Sequence, residues 1–403
     1  MAYELDIDRR ARALSLAGAC TVAAMALAVA MGIGRFAFTP LLPLMIRDGS
    51  LPQAAGAWLA ATNYVGYLLG ALTASRLGLS LPTLMRLSLL GTVLSTAAMG
   101  AVDGWAAAII LRCIAGVLSA WTLVATSAWA LQHLARAGRS DLAGLVFAGV
   151  GLGIAFAGLL CLVTGQAGMP THEIWLGLGV AATLAIVAPC AVVSRPLATI
   201  AAREAAAPAV HAPGPYAGLV ISYGILGFGY ILPATFLPAL AREVVDDPRL
   251  FGLAWPVFGM AAALSTIAAA RLFHHAARLG GWAIGHVLMA FGVVLPSLSL
   301  SPAAIAIAAL LVGSTFMVVT MVGMQEARER AGANPARLLG LMTASFAIGQ
   351  LAGPIASGLI DLLPLGHGAA LGLALQLAAA ALALSAAYLW RHADRGRSAR
   401  QAR

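Results

Sequence analysis

The stretch MGIGRFAFTPLLPLM, residues 31–45, places an arginine inside a long apolar run. Arg35 lies in an uncharged segment that extends from Ala13 to Ile46. If that segment crosses a membrane as a helix, Arg35 lies about 8 Å past its middle, at about 1.5 Å of rise per residue. An ionised side chain at that depth costs at least about 2.5 kcal/mol. Arg35 is therefore a candidate functional residue that faces a cavity or a partner.

Glycines and prolines flank this arginine on both sides. Gly32 and Gly34 precede it, and Pro40 and Pro43 follow it. Glycine lets another backbone approach closely and proline removes a helical N–H, so both residue types loosen a helix. We expect a substrate or a neighbouring helix to approach the backbone here, and we assign these four residues to gating.

The composition places the chain outside the soluble globular class. Apolar residues make up 61% and charged residues 10%, and the mean hydropathy is +0.92. These values are typical of a membrane protein with many spans. The apolar run behind the basic N-terminal residues is much longer than the core of a signal peptide, so we expect it to be retained as the first span.

Cutting the chain at charges and at Gly/Pro clusters predicts an all-α integral membrane protein with twelve transmembrane helices. Most connections are short, so consecutive helices should be antiparallel neighbours, and no soluble domain fits between them. The predicted spans are 13–45, 53–75, 81–102, 105–131, 142–163, 174–193, 216–241, 250–272, 281–300, 302–325, 338–360 and 369–390.

The basic residues, all 24 of them arginine, test this count. With twelve spans, most arginines fall on the same side as both chain ends, Arg47, Arg242 and Arg249 fall on the other side, and Arg35 and Arg112 lie within spans. The positive-inside rule then predicts cytoplasmic termini, and we expect the membrane to be a plasma (inner) membrane. Because the arginines are spread over short loops and a tail, we attribute the net charge of +9 to topology in the lipid bilayer and not to nucleic acid.

Two stretches resemble a known family. They are GIGRFAFTPLLPLM, from residue 32, and AGAWLAATNYVGYLLGALTASRLG, from residue 55. Together they resemble the YbfB/YjiJ-type branch of the major facilitator superfamily. The branch-specific resemblance covers the N-terminal part of the chain, and the general resemblance to the superfamily covers nearly all of it. The resemblance implies the major facilitator fold and a transporter role, but no particular substrate.

The same resemblance bears on Arg112 and Arg76. RCIAGVLSA, which begins at Arg112, resembles the arginine motif of the superfamily's fourth helix, where the arginine is linked to substrate or proton handling. Ala115 stands before Gly116 where that motif often has glutamine. Of the motif that usually follows the second helix, Arg76 and Gly78 are what remains. The resemblance therefore implies a substrate-site role for Arg112 and a gating role for Arg76 and Gly116.

An internal repeat relates the two halves of the chain. A constant offset pairs GIGRFAFTPLLP with GFGYILPATFLP, so that Gly32 matches Gly227 and Arg35 matches Tyr230. Repeated matches in the right order predict two pseudo-symmetric six-helix halves. The halves differ where function should differ, which makes Tyr230 a candidate cavity residue. The predicted domains are 1–195, 196–214 as a cytoplasmic linker, and 215–403.

Further polar residues fall at helical spacing. Asn63 and Tyr67 lie one turn apart in the second span, and Gln350 shares the segment GQLAGPIASG with Gly353 and Pro354. These residues are candidates for lining the cavity and, for Gly353 and Pro354, for gating. Helix packing is the alternative, because small residues let backbones approach and polar residues hydrogen-bond between helices. A proline kink with tight packing is equally compatible with the last segment.

Several classes of protein find no support in the sequence. There is no lysine and hence no Walker A loop, and there is no HExxH motif, no GxSxG motif and no pair of carboxylates within the spans. The four cysteines all fall in spans, so no disulfide framework is implied. We therefore expect no enzyme activity, no metal and no cofactor.

These observations predict a monomeric secondary transporter that works by alternating access. An unpaired guanidinium favours an anion, so the expected substrate is a small organic anion, with any coupled proton carried on the substrate or at a peripheral group such as Asp361. Three alternatives stay open. Backbone carbonyls freed near the glycines and Pro40 could satisfy Arg35, the protein could export hydrophobic or cationic compounds, or it could be a sensor with a transporter fold.

Overall fold

The structure is a computed structural model that describes residues 15–102, 104–193, 216–244, 248–273, 278–331, 335–364 and 366–401. Within these residues all regular secondary structure is helical, as the sequence predicts. The predicted linker 196–214 lies outside the described residues, and the boundaries of the two predicted domains stay a prediction.

Each of the twelve predicted spans coincides with one helix of the described residues, with shifts of up to five residues at the ends, except that the last helix continues from the predicted end at 390 to Gln401. The helices are α1 Leu16–Arg47, α2 Gln53–Thr73, α3 Leu81–Ala98, α4 Trp105–Arg136, α5 Ala143–Gln166, α6 Thr171–Val192, α7 Ala217–Val244, α8 Pro248–Leu272, α9 Arg278–Leu298, α10 Pro302–Arg330, α11 Pro335–Asp361 and α12 His367–Gln401.

Among the described residues, eleven helices are long and apolar enough to cross a membrane, and α2 is the exception. This helix carries Asn63, Tyr64 and Tyr67 along its middle. Its lower hydropathy therefore arises from the polar residues that face the centre of the molecule, and its length still matches that of a membrane span.

Glycines set the closest contacts between helices, and equivalent pairs recur in the two parts of the chain. A Cβ on Gly32 of α1 would lie 2.4 Å from the backbone of Gly153 of α5. The counterpart pair joins α7 and α11, where a Cβ on Gly349 would lie 2.1 Å from the carbonyl oxygen of Gly224. The helix pairs α5–α8 and α2–α11 connect the two parts of the molecule in the same close manner.

The helix that carries the opening motif changes its winding at that motif. Residues Ala28–Arg35 form a π-helical segment between the two α-helical parts of α1. After this segment the Thr39 N–H bonds to the carbonyl of Phe36 at 3.2 Å. The carbonyl of Arg35, four residues before Thr39, is therefore free to accept a hydrogen bond from another helix. The loosening that the glycines predict is a local change of helix type.

Candidate functional site

A cavity of about 740 Å³ lies between the helices at the centre of the molecule. Its deepest lining residues include Arg35, Arg112 and Gln350, and its lining extends to Arg47 and Gln166 at helix ends. Because Arg47 and Gln166 are exposed, this end of the molecule, called here the Arg47 end, is where the cavity opens.

The opposite end is closed by packed aromatic rings. The ring of Tyr230 stacks on Phe316 with centroids 5.0 Å apart, and Phe346 lies 5.5 Å from Tyr223 and 6.4 Å from Tyr67. We call these five residues the aromatic floor. Beyond the floor, the Gln325 side chain donates from Nε2 to the carbonyl of Ser140 at 2.9 Å and so joins α10 to the connection between α4 and α5.

Arg35 projects from the π-helical segment and is almost fully buried, with 2% of its surface exposed. Its Nη2 donates to Oε1 of Gln350 on α11. Within the described part of the chain, Nε and Nη1 have no hydrogen-bond partner. The guanidinium carbon lies 3.6 Å from the ring centroid of Tyr67, so a cation–π interaction with this ring of the aromatic floor stabilises the charge. Arg35 therefore keeps two unused donors beside the cavity.

Arg112 is buried to a similar extent but is bonded differently. Its Nη1 donates to the carbonyl of Gly34 at 3.1 Å, and its Nη2 donates to the carbonyl of Arg35 at 3.0 Å. The guanidinium carbon also lies 4.6 Å from the ring centroid of Phe38. The freed carbonyls of α1 thus accept from Arg112, and the alternative in which they satisfy Arg35 is not the arrangement found.

Asn63 and Gly116 hold α2 against α4. The Asn63 side chain donates from Nδ2 to the carbonyl of Arg112 at 3.0 Å. A Cβ on Gly116 would lie 2.2 Å from the carbonyl oxygen of Asn63, so glycine is required for this close approach. Asn63 also lines the cavity. Both residues therefore fix the helix that carries Arg112.

Gln350 and Tyr230 line the cavity, as expected for substrate-site candidates, and Tyr67 does not. Gln350 is fully buried, and its Nε2 has no partner among the described residues. Tyr67 lies in the aromatic floor under Arg35. Gln350 thus adds a third unused donor next to the two of Arg35.

The residues predicted to act in gating divide into three groups. Pro40 and Pro43 line the cavity. Gly32, Gly34 and Gly353 are packing positions, where an added Cβ would lie within 2.5 Å of a neighbouring helix. The structure places Arg76 and Pro354 in exposed positions outside the cavity lining, although the sequence predicted a gating role for both.

The sequence analysis missed several aromatic residues of the cavity wall. Tyr64 lies with its ring centroid 5.9 Å from the guanidinium carbon of Arg35. Trp255 and Phe258 of α8 stack with their planes 4° apart, and both line the cavity. Tyr64 had a detectable signal, because it adjoins Asn63, whereas nothing in the spacing of Trp255 and Phe258 separates them from lipid-facing residues.

Among the described residues, those that line the cavity include three arginines and no aspartate or glutamate. The third arginine, Arg47, is already paired with Asp48 at 3.0 Å and also donates to the carbonyl of Gly165. Burial alone would raise the pKa of Asp48, but hydrogen bonds from the Thr171 N–H and from Arg47 outweigh burial and lower it. The described residues contain no group of three or more His, Cys, Asp or Glu side chains that could hold a metal ion. The deep cavity therefore carries uncompensated positive charge.

Comparisons with known proteins agree with the resemblance seen in the sequence. A family model described as "Uncharacterised MFS-type transporter YbfB" matches residues 27–389. The structure of the human organic anion transporter MFSD10 (TETRAN) is similar over 93% of this chain and 99% of that chain, with a TM-score of 0.69 and 16% sequence identity. At that identity the likeness shows the fold alone, which is the twelve-helix major facilitator arrangement. No curated protein sequence matches the chain.

Proposed function

We propose that this chain, which belongs to the YbfB-type family of major facilitator superfamily transporters, carries a small organic anion across the membrane by alternating access. The family and the fold make it a multi-pass membrane transporter. The substrate class is our proposal, and the observation that carries it is the pair of unused donors on Arg35.

A carboxylate matches these donors in charge and in shape. The Nε and Nη1 atoms of Arg35 have no hydrogen-bond partner within the described residues, and Nε2 of Gln350 also lacks one. A buried donor without a partner costs about 1–3 kcal/mol, and more when it is charged. Because Nε–H and Nη1 lie on different edges of the guanidinium, a carboxylate would pair one of them with the remaining N–H of Nη2 to form two parallel hydrogen bonds, and it would supply the charge that the cavity lacks. Anion binding would thus satisfy both the donors and the charge.

Arg112 has a different role in this proposal. Two of its nitrogen atoms are already bonded to the carbonyls of Gly34 and Arg35. These bonds fix the π-helical segment and hence the direction in which Arg35 projects. We therefore assign Arg112 as a positioning residue and Arg35 as the residue that contacts the anion.

The shape of the cavity supports alternating access. The cavity opens at the Arg47 end and is closed by the aromatic floor at the other end. With the cytoplasmic termini that the arginine distribution predicts, this is an outward-facing state of a protein in the plasma (inner) membrane. We expect a monomer. Any coupled proton would travel on the substrate or at a peripheral group such as Asp361, which lies exposed at the end of α11.

The rival substrate class, hydrophobic or cationic compounds, finds less support. The aromatic wall of the cavity could hold a lipophilic body, but no carboxylate among the lining residues could pair with a cation. Two buried guanidinium groups would repel it. A sensor with this fold would bind the same anion without moving it, so a flux assay separates the two.

A cysteine at Thr39 tests the proposed site. Thr39 lines the cavity one turn from Arg35, and the chain's four native cysteines can be replaced in the test protein. Butyrate should slow the reaction of Thr39→Cys with a thiol reagent, and it should lose this effect when Arg35→Gln is added. Tetraphenylphosphonium should give no protection. Arg76→Gln, which removes an exposed arginine, is the matched control. Protection by the cation and not by butyrate would overturn the proposal.

Flux through the purified protein tests the transport step. In liposomes, uptake of a labelled carboxylate should require Arg35 and should continue in Arg391→Gln, which removes an exposed arginine of α12. Binding without uptake in the wild-type protein would favour the sensor and contradict a transport role.

A further inference from the structure

We infer that the substrate is an amphipathic monocarboxylate, with its carboxylate at Arg35 and Gln350 and an apolar body that extends toward the Arg47 end. This inference rests on the proposed anion site and narrows it to one chemical class. It depends on two observations, which are the number of available donors and the chemistry of the cavity wall.

The donors can hold one carboxylate. Within the described residues, the unused donors of the deep cavity are Nε and Nη1 of Arg35 and Nε2 of Gln350, which the Arg35–Gln350 hydrogen bond holds near one another, and the single Nε of Arg112. Arg112 is also charged, but both of its Nη atoms bond to backbone carbonyls. A second carboxylate at the base of the cavity would therefore find no free pair of donors.

Among the described residues, the far end of the cavity offers no second anion site. Arg47 is the remaining arginine of the lining, and it already contacts Asp48 and the carbonyl of Gly165. Asp48 in turn accepts from the Thr171 N–H at 2.8 Å, which holds its charge next to Arg47. A distal carboxylate on the ligand would find no unpaired arginine at this open end, and where it lies along the apolar wall it would lose its water without gaining a partner, so it should weaken binding.

The wall between these two ends is largely apolar. Phe36 of α1 lines it together with Phe258 and Trp255 of α8. Leu237 and Ile305 continue the lining from α7 and α10. Trp255 and Phe258 stack with centroids 5.3 Å apart, and Nε1 of Trp255 is a buried donor of this wall that has no partner among the described residues. A cavity of about 740 Å³ is far larger than a two- or four-carbon acid needs. An aromatic or aliphatic body on the acid would fill this space and bury apolar surface.

Three acids separate the alternatives in direct binding measurements on the purified wild-type protein: butyrate, 4-phenylbutyrate and 4-(4-carboxyphenyl)butyrate. Burying the phenyl ring should strengthen binding over butyrate by at least about tenfold. The second carboxylate at the far end of the ring should remove most of that gain. Equal affinity for butyrate and 4-phenylbutyrate, or tighter binding of the dicarboxylate, would overturn the inference.

Variants locate the apolar body. Trp255→Leu should weaken 4-phenylbutyrate several-fold and leave butyrate within about twofold, because only the longer acid reaches α8. The control is Trp58→Leu, which removes a tryptophan that is 67% exposed on α2 and outside the cavity lining. An equal effect of Trp255→Leu on both acids would contradict the placement. If Trp255→Leu does not fold, the comparison of the three acids on the wild-type protein still decides the inference.

Arg35→Gln distinguishes this inference from the proposed function. If Arg35→Gln abolishes butyrate binding but the phenyl ring adds nothing, the anion site stands and the amphipathic class fails. If no carboxylate binds in a manner that depends on Arg35, the proposed function itself fails.

Discussion

The surroundings of Arg35 and Arg112 differ although the two residues lie in the same buried layer of the molecule. Arg112 bonds to two backbone carbonyls and leaves only Nε without a partner, while Arg35 bonds to one side-chain oxygen and leaves two nitrogen atoms without a partner among the described residues. Both residues are at least 97% buried. Burial of a charge within a membrane therefore does not by itself identify a ligand site. The hydrogen-bond partners decide which arginine holds the structure and which one remains available.

This contrast predicts that removing Arg35 abolishes transport and spares the fold. Arg35→Ala should lower transport by at least about 100-fold, because two charge-assisted hydrogen bonds of about 1.5–3 kcal/mol each are lost. Expression and Tm should stay near wild type, since the loss of the hydrogen bond to Gln350 is offset by the removal of a buried charge that has no counter-ion among the described lining residues. Flux in liposomes and a thermal melt give the two readouts. Arg35→Lys should recover only part of the activity, because a point charge lacks the planar fork. A fully active alanine variant would remove Arg35 from the site.

Removing Arg112 should first destabilise the fold and, as a consequence, weaken anion binding. Arg112→Ala leaves the carbonyls of Gly34 and Arg35 without their donors inside the protein, at a cost of about 1–3 kcal/mol for each orphaned group. The Tm should fall by several degrees before any ligand is added, and anion binding should weaken as a consequence. A thermal melt without ligand measures the first effect. An Arg112→Ala protein with unchanged Tm and no anion binding would make Arg112 the ligand residue and reverse the comparison.

A substitution at the close contact between α1 and α5 should disturb Arg35 and Arg112 together, with a smaller effect than the removal of either. A Cβ on Gly153 would lie 2.3 Å from the carbonyl oxygen of Ala28, at the start of the π-helical segment. Gly153→Ala should therefore shift that segment and cost about 1–3 kcal/mol of stability. Gly177→Ala on α6 is the control, because nothing lies within 4 Å of its added Cβ. Equal melting temperatures for the two variants would show that the contact is not strict.

The smallest expected effect concerns stability at low pH and arises from Asp48, the partner of Arg47. Asp48 has a lowered pKa because hydrogen bonds from Thr171 and Arg47 outweigh its burial. Its contribution to stability is therefore present above the pKa of the unfolded chain and is lost as the pH falls through the lower folded value. Below about pH 4 the wild-type protein should lose stability as Asp48 is protonated, and Asp48→Asn should lack this loss. The difference in the free energy of unfolding should be no more than about 1 kcal/mol, because the pair is partly exposed. Thermal melts from pH 3 to pH 7 measure this difference. Identical pH profiles for the variant and the wild type would contradict it.

Much of the fold and part of the site could be predicted from the sequence, for physical reasons. A membrane span needs a long apolar run, so hydropathy and arginine placement locate the helices, and charges inside such runs identify Arg35 and Arg112. The close approach of Gly153 to Gly32 agrees with the prediction that a neighbouring helix contacts the backbone at the glycines of the opening motif. In contrast, Arg76 matched a sequence motif but lies exposed outside the cavity lining.

The remaining features depend on tertiary structure. Gln350 is far from Arg35 in the chain, and no periodicity joins them. The carbonyls that bind Arg112 become available only because α1 changes to a π-helical winding. Trp255 and Phe258 face the cavity because of the way α8 packs, which their local sequence does not encode. The sequence therefore found both arginines but could not tell which of them is already satisfied.

Gln350→Glu tests the central claim, that Arg35 lacks a counter-charge, most directly. The substitution keeps the size of the side chain and places a carboxylate where Oε1 of Gln350 already contacts Arg35. The measurement is the Tm of the wild-type and variant proteins with and without 4-phenylbutyrate. We expect the variant to melt at a higher temperature without ligand and to lose the stabilisation that the acid gives the wild type. A variant that melts lower and is still stabilised by the acid would contradict the account.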